Sequence, residues 1–346
     1  MLSDLKIINP LELQNWDELI LQHPDYSFFH TSAWAKVLME TYNYRPHYLM
    51  VEEDGVLKAA LPLMEVNSWL TGNRAVSLPF SDYCVPLVTE GVNFNQLFDE
   101  MIKFCKEEKL KYLELRGWEE FLNKDVSSTH LLSHYLNLER KEDELFSTFR
   151  KGTKSSIKKS QREGVTVKID NSLTSVEDFY KMNCVTRKKH GLPPQPLVFF
   201  KNLYKYIISK DLGFISLGQY KGKSVAGAIY LKFGKKMLYK YSASYPDYLY
   251  LNANNLVMWE SLKYCIEKGF KELCFGITEP RNEGLRRYKL GWGTAEEVLN
   301  TYRYNITTNN FVSVKTKTAG LHNIFFNKAP LPALKIFGSL LYRHFG

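Results

Sequence analysis

The chain has 346 residues, room for two domains at about 100–200 residues each. Apolar residues make up 45% and charged residues 24%, which excludes a disordered chain, a collagen and a coiled coil. Lys and Arg number 46 against 37 Asp and Glu, so the net charge is +9, which favours an anionic partner without naming it.

Residues 1–9 carry Asp4 and lack a charged start followed by an apolar run, so no signal peptide is expected. No run of about 18 apolar residues occurs, so no spanning helix is expected either. The five cysteines have no metal-pair spacing and are odd in number, which suits a reducing cytoplasm.

Residues 48–51 and 56–63, around Asp54-Gly55, predict a β-hairpin; 75–78 predicts a third strand. An amphipathic helix then runs into a strand over 104–113. The same order returns later: a hairpin at 214–217 and 225–231 around Lys221-Gly222, a strand at 237–242, and a helix into a strand over 264–273. Phe104-Cys105-Lys106-Glu107 reads closely like Tyr264-Cys265-Ile266-Glu267. The pattern predicts one α/β unit used twice, each a mixed, mostly antiparallel sheet flanked by helices. This is the layout of the GNAT acyltransferase fold. The expected boundaries are 1–138, 139–310 and a tail with an amphipathic helix at 311–346.

Between the halves, 139–189 is polar, basic and mainly helical. Arg150, Lys154 and Lys158 fall at i, i+4 and i+8 on one helical stripe. Like charges on one face destabilise a helix, so an anion such as a pyrophosphate or an RNA backbone would compensate. A solvated face is the alternative. Arg187 and His190 lead into Pro193, Pro194 and Pro196, a stiff path that can present His190 and Gln195 to a ligand. Alternation puts Tyr239 and Tyr241 on one strand face. Asn252, Asn254 and Asn255 open the helix carrying Trp259, and capping explains one of them.

The segment 275–293 follows the last strand of the second half, where α/β sites gather. Glu283, Arg287, Tyr288, Lys289 and Trp292 crowd it between glycines. Lys289, beside Tyr288 and Gly291-Trp292-Gly293, is expected to have its amine held, its fixed charge serving an oxyanion. A glycine-rich loop that would cradle the CoA pyrophosphate is missing after 237–242, where Pro246-Asp247-Tyr248 stands instead. At the C-terminus, 331–345 predicts a helix with Leu334, Phe337 and Leu341 on one face. It either docks on its domain or rests on an anionic membrane surface.

Together Phe149–Lys159, His190–Pro196, Asn254-Asn255 with Trp259-Glu260, and Asn282–Gly293 resemble the Fem-type aminoacyltransferases and the neighbouring GNAT acyltransferases associated with exopolysaccharide systems. The resemblance implies tandem GNAT-like domains and transfer of an aminoacyl group from aminoacyl-tRNA to an amine of a peptidoglycan or surface-polysaccharide precursor. It implies no tightly bound cofactor. It places Lys289 at the transfer site; the Tyr241 hydroxyl or a backbone carbonyl is separately expected to help the proton leave. It places phosphate-binding cations among Arg150, Lys154, Lys158 and Arg287. The remaining candidates for substrate contact are Arg187, His190, Gln195, Asn254, Asn255, Trp259, Glu283, Tyr288 and Trp292. Two alternatives stand beside it: acetyl transfer from acyl-CoA in exopolysaccharide synthesis, and a non-catalytic GNAT-like protein that binds RNA or a membrane. The expected location is cytoplasmic, with peripheral membrane contact through 331–345.

Overall fold

The computed structural model describes residues 5–122, 126–313 and 326–345. The chain divides into two compact units, one drawn from 1–131, 298–316 and 341–346, the other from 132–297 and 317–340. The division comes earlier than Leu138, and two later stretches return to the first unit. Residues 314–325 of the expected tail lie outside the described residues.

The first unit holds β1 (Leu5–Ile8), α1 (Trp16–Leu21), α2 (Ser32–Tyr42), β2 (Arg45–Pro46), β3 (Tyr48–Glu53), β4 (Val56–Leu61), β5 (Met64–Val66), β6 (Arg74–Val76), β7 (Leu87–Val88), α3 (Phe94–Glu107) and β8 (Tyr112–Arg116). One antiparallel sheet runs β1-β3-β4-β7, and β2-β5-β6-β8 form part of a second. The β3–β4 hairpin turns on Asp54 (φ 51°) and Gly55 (φ 78°). Two successive positive φ values match the twist of the flanking strands. Leu97, Met101, Phe104 and Cys105 on one face of α3 are buried with Leu113, Leu115 and Trp118. The chain's last residues are tied here as well. Tyr44 Oη donates to the Tyr342 carbonyl (3.2 Å), Arg74 Nη2 donates to that of His344 (3.1 Å), and the Ser68 hydroxyl meets His344 Nδ1 (2.9 Å).

The second unit continues through β9 (Thr129–Asn137), α4 (Glu142–Thr148), α5 (Lys151–Arg162), β10 (Thr166–Asp170), α6 (Leu173–Lys189), α7 (Leu197–Tyr206), β11 (Gly213–Tyr220), β12 (Lys223–Phe233), β13 (Lys236–Ser244), α8 (Ala253–Glu267), β14 (Glu272–Thr278) and α9 (Glu283–Leu290). The strand order is β10-β11-β12-β13-β14-β9, with only β13 and β14 parallel. The β11–β12 turn repeats the first hairpin, with Lys221 (φ 49°) and Gly222 (φ 75°). Strand β15 (Ala295–Asn305) begins in this unit; its residues 301–305 pair with β8, and β16 (Asn310–Phe311) pairs with its end. Helix α10 (Leu331–Leu341) buries Leu334 and Gly338, and a side chain at Gly338 would strike the Pro194 carbonyl. The docked reading of this helix holds for that face. Ile336 and Leu340, on the other side, are 62% and 60% exposed.

The sequence repeat is also a structural one. Helix α3 ends with Lys109 at φ 55° and Leu110 N donating to the Cys105 carbonyl (2.9 Å). Helix α8 ends with Gly269 at φ 72° and Phe270 N donating to the Cys265 carbonyl (3.0 Å). Each closure feeds a strand that pairs in parallel over three residues, β6 with β8 and β13 with β14. Nothing crowds Gly269, so its left-handed backbone is the only cost of a side chain. Gly269→Ala is expected to lower stability by about 1 kcal/mol, read in urea unfolding.

The basic segment 139–189 is mainly helical, as expected, with the short strand β10 between α5 and α6. One feature departs from expectation: Tyr230 pairs with Tyr239 and Ile229 with Tyr241, so Lys240 is an extra residue in the ladder. Such a bulge breaks the alternation of faces. Tyr241 therefore packs on Phe199 and Phe200 of α7 (ring centroids 6.0 and 5.7 Å), while Tyr239 packs on Tyr230 and Phe275 (5.4 and 5.9 Å).

Candidate active site

The site is built where β14 meets α9. Strand β14 pairs Cys274 with Tyr135 and Ile277 with Ser133 of β9, leaving Phe275 and Gly276 opposite His134 alone. Gly276, at φ 70°, makes this bulge possible. The bulge turns two carbonyls toward α9. Lys289, only 3% exposed, donates from Nζ to the Gly276 carbonyl (2.8 Å) and the Ile277 carbonyl (2.9 Å). Asn282 caps α9 by accepting from Leu285 N (3.2 Å), which sets the helix start, and hence Lys289, relative to β14.

The C-terminal end of α9 sits against the start of α5. Arg150 N donates to the Gly291 carbonyl (2.9 Å), and Arg150 Nη2 donates to that of Arg287 (2.8 Å). The approach is close enough that a Cβ on Gly291 would lie 2.7 Å from Thr153 Oγ1, and one on Gly293 2.9 Å from Thr148 Oγ1. The two glycines around Trp292 are thus packing requirements, and they join two motifs more than a hundred residues apart. Trp292 is fully buried against Phe149 and Tyr288 (5.0 and 6.0 Å). Burial first, then neighbouring Tyr239, pushes the Tyr288 phenol well above its ordinary range, and burial raises Tyr239 too. Both stay protonated near neutral pH.

A family model described as an acetyltransferase (GNAT) domain matches residues 147–290, which contain the basic helix, the parallel β13–β14 pair and Lys289. The UDP-N-acetylmuramoylpentapeptide-lysine N(6)-alanyltransferase of Weissella viridescens is 26% identical over 69% of this chain and 76% of its own. The lipid II:glycine glycyltransferase of Staphylococcus haemolyticus is 20% identical over 81% and 88%. The chain thus carries a match to a GNAT domain over 147–290 and is similar over most of its length to transferases named for peptidoglycan precursors. The crystal structure of FemX shares its fold, with a TM-score of 0.70 at 15% identity, over 86% of this chain and 97% of that one.

The structure brings together Arg150, Arg287, Tyr288, Lys289 and Trp292. Arg287 and Glu283 are exposed on α9, and Lys158 is exposed on α5. Lys154, by contrast, spends its amine on the Ser147 carbonyl (2.6 Å) and lies over the Phe146 ring. Three candidates for ligand contact are core residues. Trp259 is 8% exposed and packs on Phe146 and Phe149, Trp292 fills the core as described, and Gln195 is 7% exposed beneath the proline loop. The prolines stiffen that loop but turn Gln195 inward. His190 is exposed at the end of α6, where partial burial, then Arg187 and Lys189, hold its imidazole below the ordinary value. Arg187 Nε reaches the Pro193 carbonyl (3.4 Å).

Asn254 donates to Ser244 Oγ (3.3 Å), and Asn255 is half-buried beside it in the first turn of α8. Asn252 precedes α8 in the left-handed region (φ 54°) with no side-chain cap bond, so its value is conformational. A 3-10 turn, Pro246–Leu251, fills the place of a glycine-rich loop. Tyr241 of β13, packed against α7, is not brought to Tyr239 and Tyr288.

Sequence reasoning missed His134, Glu296 and Arg286. His134 is fully buried, with Nε2 at 3.1 Å from Glu296 Oε2. Arg286 donates to both oxygens of Glu296 (2.7 and 2.7 Å). No local signal marks His134, because its partners come from strands far along the chain.

Proposed function

We propose that this protein transfers an aminoacyl group from aminoacyl-tRNA to an amine of a peptidoglycan precursor on the cytoplasmic side. The observation that carries the reading is the ammonium of Lys289, buried and fixed by two carbonyls at the β14 bulge. The acceptor amine attacks the ester carbonyl of the donor, and the carbon–nitrogen bond forms as negative charge gathers on the carbonyl oxygen. A fixed cation in a buried setting favours that charge strongly. The bond to the ribose oxygen then breaks, and the proton lost by the amine passes to that oxygen. A backbone carbonyl relays it, since Tyr241 faces α7. Arg150, Lys158 and Arg287, exposed around the α5–α9 junction, hold the anionic part of acceptor or donor. The relatives named for alanyl and glycyl transfer support the acceptor class.

Transfer from acyl-CoA is the second reading, favoured by the GNAT acetyltransferase match over 147–290. The 3-10 turn before α8, with no glycine in it, speaks for the tRNA donor. The exposed face of α10, with Ile336, Phe337, Leu340 and neighbouring Lys335, supports contact with an anionic membrane on which a lipid-linked acceptor would sit. No helix among the described residues is long and apolar enough to cross a membrane.

The test supplies bulk tRNA charged with labelled amino acids, or labelled acetyl-CoA, together with UDP-N-acetylmuramoyl-pentapeptide or lipid II. Label reaching the precursor only from charged tRNA is expected. Label reaching it only from acetyl-CoA replaces the donor, and no label from either defeats the reading.

A further inference from the structure

The polar groups behind Lys289 form a path that closes through the backbone bulge of β14. Arg286 and Lys289 stand three residues apart on α9, hence on one side of the helix. Arg286 grips Glu296 at the start of β15 through both carboxylate oxygens, and Glu296 meets Nε2 of His134 on β9. His134 stands alone opposite Phe275 and Gly276, and the carbonyls of Gly276 and Ile277 hold Lys289. The path therefore leaves α9 at Arg286 and returns to it at Lys289. We infer that His134 is a positioning residue for Lys289. Through Glu296 and the bulge it fixes α9 so that the ammonium stays at the two carbonyls.

A second observation bears on the path. Nδ1 of His134 and Oγ1 of Thr278, one residue beyond Ile277, are buried with no partner among the described residues. A buried polar atom left unpaired is destabilising, so a fully buried histidine here needs a reason besides packing. With Nε2–H donating to Glu296, the imidazole is neutral and Nδ1 is an unused acceptor. The charged groups facing it are Lys289 and Arg286 from α9 and Glu296 from β15. Burial first, then Lys289, hold its pKa below the ordinary value of 6.5, against the opposing pull of Glu296. The neutral form is thus the native one. Its stabilisation is complete above pH 6.5 and is lost as pH falls through the lowered native midpoint. Protonation there sets a third cation beside Lys289 and Arg286, which loosens α9.

The inference rests on Lys289 being the transfer-site cation, and its test separates the two. The imidazole of His134 is followed by NMR across pH in the full chain and assigned by its absence in His134→Gln. Lys289→Met is expected to raise its midpoint, and Glu296→Gln to lower it. The second variant carries the test if the first does not fold. In transfer assays kcat of the parent protein falls on the acid side of that midpoint. His134→Gln keeps an N–H near the Nε2 position and cannot titrate, so it keeps most of kcat at pH 7.5 and loses the acid limb. His134→Ala loses kcat about tenfold or more, because a small displacement of a catalytic group has effects of that order. A midpoint that neither substitution moves, or an acid limb that survives in His134→Gln, overturns the positioning role. Absence of transfer with every donor overturns the role of Lys289, while the imidazole titration still decides the path.

Discussion

Lys289→Met is expected to reduce kcat by about 10³-fold with the protein still folded. Loss of one preorganised donor at a developing oxyanion costs about 10²–10³-fold, and a buried formal charge stands at the upper end of that range. Methionine has nearly the same length and no charge, so the packing between Tyr288 and Trp292 survives. The Gly276 and Ile277 carbonyls lose their donor, at about 1–3 kcal/mol in stability. Circular dichroism and thermal unfolding separate that loss from the catalytic one. A folded variant with unchanged kcat would sink the oxyanion role. Lys289→Arg tests geometry, since a planar fork cannot replace a compact ammonium at two converging carbonyls. It should also fail.

Gly291→Ala should be nearly as damaging to transfer, for a mechanical reason. Its Cβ would lie 2.7 Å from Thr153 Oγ1, inside a junction where Arg150 is already bonded to the Gly291 and Arg287 carbonyls. Overpacking of this kind costs about 1–3 kcal/mol. The strain falls on α9, so Lys289 moves with it, and kcat is expected to drop about 10²-fold. The obstructing atom is a hydroxyl, which makes the cause separable. Thr153→Ala in the same chain removes it and should restore most of kcat and stability. A double variant as poor as Gly291→Ala alone would show that the glycine serves some other purpose.

Much of the frame was legible because its signals are local. Asp54-Gly55 and Lys221-Gly222 marked both hairpins, and the likeness between 104–113 and 264–273 reported a shared helix closure. The segment 282–293 announced itself by concentrating charge, aromatic rings and glycine. What stayed hidden depends on pairing at a distance. The bulge at Lys240 arises from register with β12, and it separates Tyr241 from Tyr239. His134 acquires its role only when β9 meets β14, about 140 residues along the chain, as the Ser133–Cys274 contact shows. Burial likewise cannot be read from residue type alone. Trp259 and Gln195 have the chemistry of ligand contacts and the positions of core residues. Lys154 matches the charged stripe yet is satisfied by a backbone carbonyl seven residues away.

The return of the chain's end to the first unit bears on the order in which a ribosome can finish the two units. The six strands β10-β11-β12-β13-β14-β9 are all present once residue 278 has emerged. The first unit, though synthesised earlier, still lacks the β15 partner of β8 and the Tyr342 and His344 carbonyls that satisfy Tyr44 and Arg74. The later segment is therefore the first to have its strands paired with one another. The N-terminal portion must wait, with β8 unpaired on one edge, until β15 has emerged at residue 305, and Tyr44 and Arg74 wait for residues 342 and 344. A nascent chain stalled between residues 278 and 295 would carry β8 with an unpaired edge, and that interval is where a chaperone has most to shield.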